Sequence, residues 1–435
     1  MNLISKLKKN PWFWIPSLYY AQGLPYIMVV EVSVIMYQNL DISNAEIGLY
    51  TSLLYLPWII KPFWSPLVEN TKTKRWWTIG MQFVMGIAFA GVALVLLTPS
   101  FFSFSLIVLY MLALASATHD IAADGFYMIA LNEEKQSFFV GIRSTFYRIA
   151  IISGKGLLVI LAGYLIENGT EVDNAWAITF GILAVAMTAF AFYHTLSIPK
   201  PKGDVAEEFD SAKDQLMAFV KVFIDFFKKK QIWIALAFIL LYRFAEGQLV
   251  KMGPPFFLDE VSAGGLGLST ADLGFIYGTI GVIALTIGGI IGGIVISRKG
   301  LKYWIWPMLI SMNVPNLVYV ILAYYQPSSY VLISTFVAIE QFGYGFGFAA
   351  FLMYLIYVAQ GENKTAHYAF GTGFMALGML IPGTISGYMQ EWLGYLDFFI
   401  WVMIATIPIF IVTKFIEIDP EFGKKKENKE ESASE

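Results

Sequence analysis

Long apolar runs separated by short polar turns set the pattern of this chain from Pro11 to Phe415. A helix needs roughly 20 apolar residues to cross the hydrocarbon core of a bilayer. Twelve runs reach that length. They are Pro11–Gln38, Asn44–Val68, Trp76–Leu97, Phe104–Leu131, Gln136–Ile166 and Ala175–Ser197 in the first half. In the second half they are Gln231–Phe257, Thr270–Ser297, Lys302–Tyr324, Ser329–Gln360, Thr365–Met389 and Leu393–Phe415. The pattern predicts an all-α membrane protein with 12 transmembrane helices. Lys6, Lys8 and Lys9 precede the first run as they would in a signal sequence. That run is too long, however, and lacks a small-residue cleavage site, so it is read as a retained span.

The charges outside the runs then set an orientation. The termini and alternate loops on one side hold 21 Lys or Arg, among them Lys72, Lys74, Arg75 and Lys228 to Lys230. The six loops on the other side hold none and carry acids such as Asp41, Glu167, Asp173, Asp259 and Glu391. Basic loops stay on the cytoplasmic side, so both termini are expected there. A miscount by one span would scramble the segregation.

A short repeat divides the chain into halves. Ile42–Leu49 reads ISNAEIGL and opens the second run; Leu268–Phe275 reads LSTADLGF and opens the eighth, 226 residues later. In each copy a serine can cap the helix, and the acid three residues on favours the positive helix N-terminus. A short basic turn follows each of these runs, Thr71–Arg75 and Arg298–Lys302. Two parallel halves of six helices with a site between them near the midplane is the major facilitator plan. The expected organisation is a six-helix bundle over 1–198, a cytoplasmic linker over 199–230 and a second six-helix bundle over 231–416. A disordered charged tail is expected over 417–435. Within the linker, Leu216, Phe219, Val220, Phe223, Phe226 and Phe227 with a basic end suit an amphipathic helix on the inner leaflet.

Composition agrees with a bilayer solvent. Only 14% of residues are charged, the mean hydropathy is +0.63, and 17% are aromatic. A soluble domain averages about 25% charged residues. The absence of cysteine excludes disulfides and thiol chemistry. Three scattered histidines, His119, His194 and His367, argue against a metal site. No catalytic residue, metal or cofactor is expected, and no nucleic acid partner; the expected state is a monomer.

Ionisable groups inside spans are costly and mark a pathway or a pair. The first run holds Gln22 and Glu31, and the fourth holds Asp120 and Asp124. The fifth holds Arg143, Arg148 and Lys155, the seventh Arg243, Glu246 and Lys251, and the tenth Glu340 beside Gln341. Asp120 and Asp124 are four apart and share a helix face. Two carboxylates on one face repel, so one can carry a proton near neutral pH, as coupling to a proton gradient requires. Arg148 and Lys155 share a face, whereas Arg143 is turned away by about 140°. That basic face is open to two readings, an anchor for an anionic group of the solute or ion pairs with Asp120 and Asp124. Arg243 and Glu246 can pair along their helix. Gln22, Tyr26, Glu31, Arg148, Lys155, Arg243, Glu246 and Glu340 are the candidates for solute binding, with Glu31 facing an outer vestibule as its plainer reading. Lys61, Glu69, Arg75 and Arg143 are assigned to gating or structure, and Lys251 to snorkelling towards an interface. The glycines at 288, 289, 292 and 293, and from Gly371 to Gly378, are read as close-packing seams.

Three motifs carry a family resemblance: Gln22-Gly23-Leu24-Pro25-Tyr26, Lys61-Pro62-Phe63-Trp64-Ser65-Pro66-Leu67, and Ala117-Thr118-His119-Asp120-Ile121-Ala122-Ala123-Asp124-Gly125. Together and in this order they resemble the AmpG muropeptide permeases, whose wider family includes acetyl-CoA transporters. The resemblance is densest over residues 15–160. The chain departs from the family at Glu69-Asn70, where Asp-Arg is usual, and at Met128 and Ile129, where a third polar residue tends to stand. The resemblance implies proton-driven import of sugar–peptide cell-wall fragments across a bacterial inner membrane, with Asp120 and Asp124 as the critical acids. Tyr19, Tyr20, Tyr26 and Tyr127 could stack on sugar faces. The alternatives are a carrier of another bulky anion, of acyl-CoA or siderophore type, and a membrane-embedded acyltransferase.

Overall fold

The computed structural model describes residues 10–65, 68, 71–131, 133–205, 212–361 and 364–424. Among the described residues all regular structure is helical, and ten helical stretches are long and apolar enough to cross a bilayer. In chain order the helices are α1 (Pro11–Asn39), α2 (Asn44–Leu53), α3 (Lys74–Val95), α4 (Phe101–Ala130) and α5 (Glu133–Ile152, continuing as Val159–Glu167). There follow α6 (Val172–Ser197), α7 (Ala212–Phe227), α8 (Ile232–Leu258), α9 (Thr270–Lys299), α10 (Leu301–Tyr325), α11 (Tyr330–Ala359) and α12 (His367–Thr413).

Two of the expected runs differ in form. The second is broken: α2 ends at Leu53, a short helix follows over Leu56–Ile60, and a tight turn covers Lys61–Phe63. Pro57 and Pro62 supply no N–H to a helical ladder, which accounts for the interruptions. The last two runs are joined as one stretch of 47 residues, bent at Gly394 with φ 75°. A side chain resists that left-handed conformation, and glycine does not.

Both repeated capping segments fold alike. The Ser43 hydroxyl accepts from the N–H of Glu46 at 3.3 Å, and that of Ser269 from the N–H of Asp272 at 3.2 Å. Each hydroxyl in turn donates to the carboxylate of the same acid at 2.9 Å. The acid therefore meets the serine side chain rather than its backbone N–H, a variant of the expected box.

Contacts divide the chain into two compact units. The first unit comprises Met1–Val220, Glu246–Thr279 and Met379–Tyr395. Its core near the start of α1 gathers Trp14, Ile15, Leu18, Tyr19, Phe126 and Tyr127. Backbones come close where side chains are missing. A Cβ on Gly163 would lie 2.3 Å from the N of Ala271, and one on Gly387 only 1.8 Å from the carbonyl of Asn44. These glycines let α9 sit on α5, and α12 on the start of α2.

The second unit comprises Lys221–Ala245, Ile280–Gly378 and Leu396–Glu435. Its core stacks Phe238, Tyr242, Phe351 and Tyr354 between α8 and α11, with the Tyr242 and Phe351 rings 4.5 Å apart. The seam reading of the glycines holds in part: a Cβ on Gly288 would lie 2.2 Å from the Phe342 carbonyl and one on Gly378 2.7 Å from that of Leu240, whereas Gly293 has nothing within 4 Å; Gly345, which the sequence did not mark, comes within 1.9 Å of the Leu285 carbonyl. In α7, Phe226 is buried beside His367, Phe370 and Phe374, while Val220, Phe223 and Ile224 are exposed. From Glu417 to Lys424, the described part of the expected tail, the chain is held in place. Lys230 Nζ donates to Glu417 at 2.9 Å, and Leu301 N to the carbonyl of Phe422 at 2.9 Å. Residues 425–435 lie outside the described residues.

Candidate functional site

The two acids of α4 form two ion pairs one helical turn apart, both in the first unit. Lys61 Nζ lies 3.8 Å from Asp120 Oδ2, with Asp120 only 15% exposed. Gln22, itself buried, and Trp58 flank that carboxylate. Beside them Tyr26 shares a 2.7 Å hydrogen bond with Tyr55, and its ring packs against Trp58 and Tyr147. One turn on, Arg143 lies 3.2 Å from Asp124, which also accepts from the Tyr19 hydroxyl at 3.1 Å. The same guanidinium lies over the rings of Tyr19 at 4.5 Å and Tyr127 at 5.0 Å.

Of the two readings open for the face of Arg148 and Lys155, ion pairs with the α4 acids are not found among the described residues: Lys61 and Arg143, the residues assigned to gating or structure, hold those places. Arg148 is half-buried and makes no ion pair among the described residues. Lys155 turns instead to Glu31 on α1 at 2.5 Å, so Glu31 is paired rather than left to an open vestibule.

The physical reason lies in the backbone. Met28–Val32, Ser153–Leu158 and Ile276–Gly281 are all π-helical turns, and they carry Glu31, Lys155 and Tyr277 respectively. A π turn closes its hydrogen bond one residue later than an α turn, and so shifts the phase of the side chains. Lys155 is thereby moved out of the register it would share with Arg148. Its ammonium rests 3.7 Å above the centre of the Tyr277 ring. The three turns touch through small residues: a Cβ on Gly278 would lie 2.0 Å from the Lys155 carbonyl, and one on Gly154 2.5 Å from Ile27. Lys251, expected to snorkel, is only 5% exposed and donates to the Val30 carbonyl at 3.1 Å, close enough to Glu31 to interact with it. A stem of four methylenes suits either place; packing chose the interior.

A polar network closes the end of the first unit that bears Asp41 and Asp259. Asp259 accepts from Gln38 Nε2 at 2.5 Å and from the Tyr395 hydroxyl at 2.6 Å. Asn44 Nδ2 reaches Tyr395 at 3.1 Å and Gln390 at 2.7 Å, while Glu391 accepts from the N–H of Ala45 at 2.8 Å. Burial raises the Asp259 carboxyl above its ordinary value, against the pull of these donors. The sequence marked Asp259 and Glu391 only as loop acids.

Arg243 ends the first segment of α8 in the second unit, where its guanidinium meets the Tyr344 hydroxyl and lies 5.0 Å from the Phe348 ring. Glu246 is buried in the first unit. Glu340 is buried in the second and accepts from Gln341 at 2.9 Å. Arg75 is structural: it donates to the carbonyls of Thr195 at 2.7 Å and Ile198 at 3.3 Å, capping the end of α6. Asp204 in turn accepts from the N–H groups of Lys74 and Arg75, capping α3. Glu69 lies outside the described residues. A hydrogen-bonded chain with no mark in the residue pattern runs from Ser17 to His194 (2.9 Å), on to Gln82 (2.8 Å) and to His119 (3.0 Å). Among the described residues no cluster of His, Asp and Glu could hold a metal.

Known proteins resemble this chain along nearly its whole length. The family model described as Major Facilitator Superfamily matches residues 17–383. The transporter AmpG 4 of Rickettsia conorii is 24% identical over 428 residues, 96% of this chain and 99% of that protein. The anhydromuropeptide permease of Escherichia coli K12 is 23% identical over 397 residues, 89% of this chain and 76% of that one. In structure, a nucleoside transporter, NupG, superimposes with a TM-score of 0.70 at 18% identity, covering 96% of this chain and 100% of its own. A D-xylose-proton symporter gives 0.72 at 14%, covering 95% and 99%. A match over so much of the chain makes it a permease rather than an enzyme. The protein belongs to the Major Facilitator Superfamily, as a multi-pass protein of the inner membrane.

Proposed function

We propose that the protein is a proton-coupled importer of amino-sugar-containing cell-wall fragments, working by alternating access. The observation that carries this reading is the pairing of Asp120 with Lys61 across two helices at 3.8 Å, beside Gln22 and a cluster of aromatic rings. A carboxylate that can exchange a nearby ammonium for a proton is what coupling needs, and rings beside it can stack on sugar faces. Asp124, one turn away, exchanges between Arg143 and a proton in the same way. Arg148, half-buried and without an ion pair among the described residues, is assigned to an anionic group of the solute. The relatives named AmpG and anhydromuropeptide permease supply the solute class. Gln22, Tyr26, Arg243, Glu246 and Glu340 are assigned to solute binding with it.

This reading takes the broken second run and the two arms of α12 as separate crossings, giving twelve spans with both termini in the cytoplasm. It keeps a bundle over 1–198, a linker over 199–230 and a bundle over 231–416, in a monomer. Uptake of a labelled anhydromuropeptide into proteoliposomes under an imposed inward proton gradient tests it. Accumulation that collapses when the gradient is dissipated is the expected result. Entry that is indifferent to the gradient would remove proton coupling, and no uptake of any amino-sugar fragment would remove the solute class.

A further inference from the structure

Three departures from α geometry, on three different helices, meet at one place in the first unit. One such turn is ordinary; π turns are frequent at functional sites because they weaken a helix locally while re-aiming a side chain. Here they bring Glu31, Lys155 and Tyr277 together, and Lys251 adds a second ammonium beside the same carboxylate. Lys155 pairs with that carboxylate directly, and Lys251 is held beside it by the Val30 carbonyl. Glu31 is the most open of the charged three, with its side chain 22% exposed against 7% for Lys155. The tyrosine ring and the Val30 carbonyl hold the two ammoniums in place without neutralising them.

We propose that this cluster is the docking point for a carboxylate of the transported solute, with Glu31 as the internal group that holds the place when no solute is bound. The incoming carboxylate takes over Lys155, Lys251 becomes its second cation, and Glu31 swings away from the pair. The solute carboxylate replaces the contact that Lys155 gives up, and the cost of the exchange falls on Glu31, the more open of the pair, which must turn to water. Its mechanical effect follows from the packing. The Lys155 carbonyl bears directly on Gly278, and Gly154 on Ile27, so a shift at the pair loosens the contact of α5 with both α1 and α9. The inference rests on the transporter reading but adds a solute feature, a carboxylate, and the residues that recognise it.

The test compares N-acetylmuramic acid with N-acetylglucosamine, its counterpart lacking the carboxylate, in thermal-shift titrations of the purified full chain. Lactate against chloride at equal ionic strength provides an arm free of sugar. The expected result is that wild type prefers the carboxylated partner in both comparisons by about tenfold, or about 1.4 kcal/mol. Lys155→Gln and Lys251→Gln should each erase that preference, read as the ratio of the two affinities within one variant. Glu31→Gln gives the decisive sign, because removing the competing group should tighten binding of the carboxylated ligands. A purely structural pair predicts the opposite, weaker binding with a lower melting temperature, and that outcome overturns the inference. Protection by lactate without protection by either sugar would sink the amino-sugar reading and leave this one standing. No preference for a carboxylate in either comparison would end it.

Discussion

Lys61 holds its ammonium 3.8 Å from the carboxylate of Asp120, farther than the 2.7–2.9 Å or so of a tight charge-assisted hydrogen bond, with the lysine side chain 35% exposed. At that distance, with Lys61 partly wet, the pair is loose, and protonation of Asp120 releases the lysine to water. Asp120→Asn is therefore expected to abolish accumulation against a gradient while the protein still inserts and folds. Lys61→Met should slow transport less than Asp120→Asn does. Gradient-driven uptake in proteoliposomes, alongside a melting curve for each variant, checks both; full accumulation by Asp120→Asn would take this residue out of the mechanism.

Arg148, on α5, is half-buried and makes no ion pair among the described residues. Arg148→Ala is expected to weaken solute affinity by about tenfold, near 1.4 kcal/mol, and to move the melting temperature by no more than about 2 °C. Unchanged affinity with a markedly lower melting temperature would assign Arg148 to packing instead.

Asp259 supplies a pH dependence. Its carboxyl sits above the ordinary 3.8 through burial, so the folded state favours its neutral form. The stability it contributes is fully present below that ordinary value and is lost as pH rises through the raised one. Melting temperatures of wild type should accordingly fall, relative to Asp259→Asn, as pH is taken upward from about 4. Parallel curves across that window would contradict the assignment.

Two glycines on helices should respond oppositely to the same change. Gly387→Ala places a methyl group 1.8 Å from the Asn44 carbonyl and should cost roughly 1–3 kcal/mol or more. Gly181, inside α6, has nothing within 4 Å of the added Cβ, and alanine there should stabilise by about 0.5–1 kcal/mol. Thermal denaturation of the two variants decides the matter, and similar losses in both would refute the packing argument.

Gln82 links two buried imidazoles, accepting from His194 and donating to His119 as its amide is oriented. Gln82→Leu leaves both rings without that partner and should cost about 1–3 kcal/mol for each buried group orphaned. The solute affinity of the folded fraction should be unaffected. A variant as stable as wild type would show that the rings re-pair elsewhere.

How much of this was legible in the sequence varies with the range of the forces involved. Apolar runs and serine caps are local, and both capping segments formed where the ISNAEIGL and LSTADLGF repeats stand. That the span 4 acids share one face was legible from their spacing. Their partners were not. Arg143 and Lys61 reached the acids from positions that helical phase alone did not favour. The π turns at Glu31, Lys155 and Tyr277 left no mark that a period of 3.6 residues could reveal, because they are set by contacts between helices distant in sequence. Lys251 illustrates the same limit: burial of a lysine depends on what packs around its stem, and no single run of residues specifies that.

The bend at Gly394 rests on one residue. Its φ of 75° is open to glycine and strained for any other residue, and the corner holds no spare chain to absorb a change in length. Insertions should therefore be far less tolerated at Gly394 than in the turn between α10 and α11 at Gln326 to Ser329, where irregular chain can absorb them.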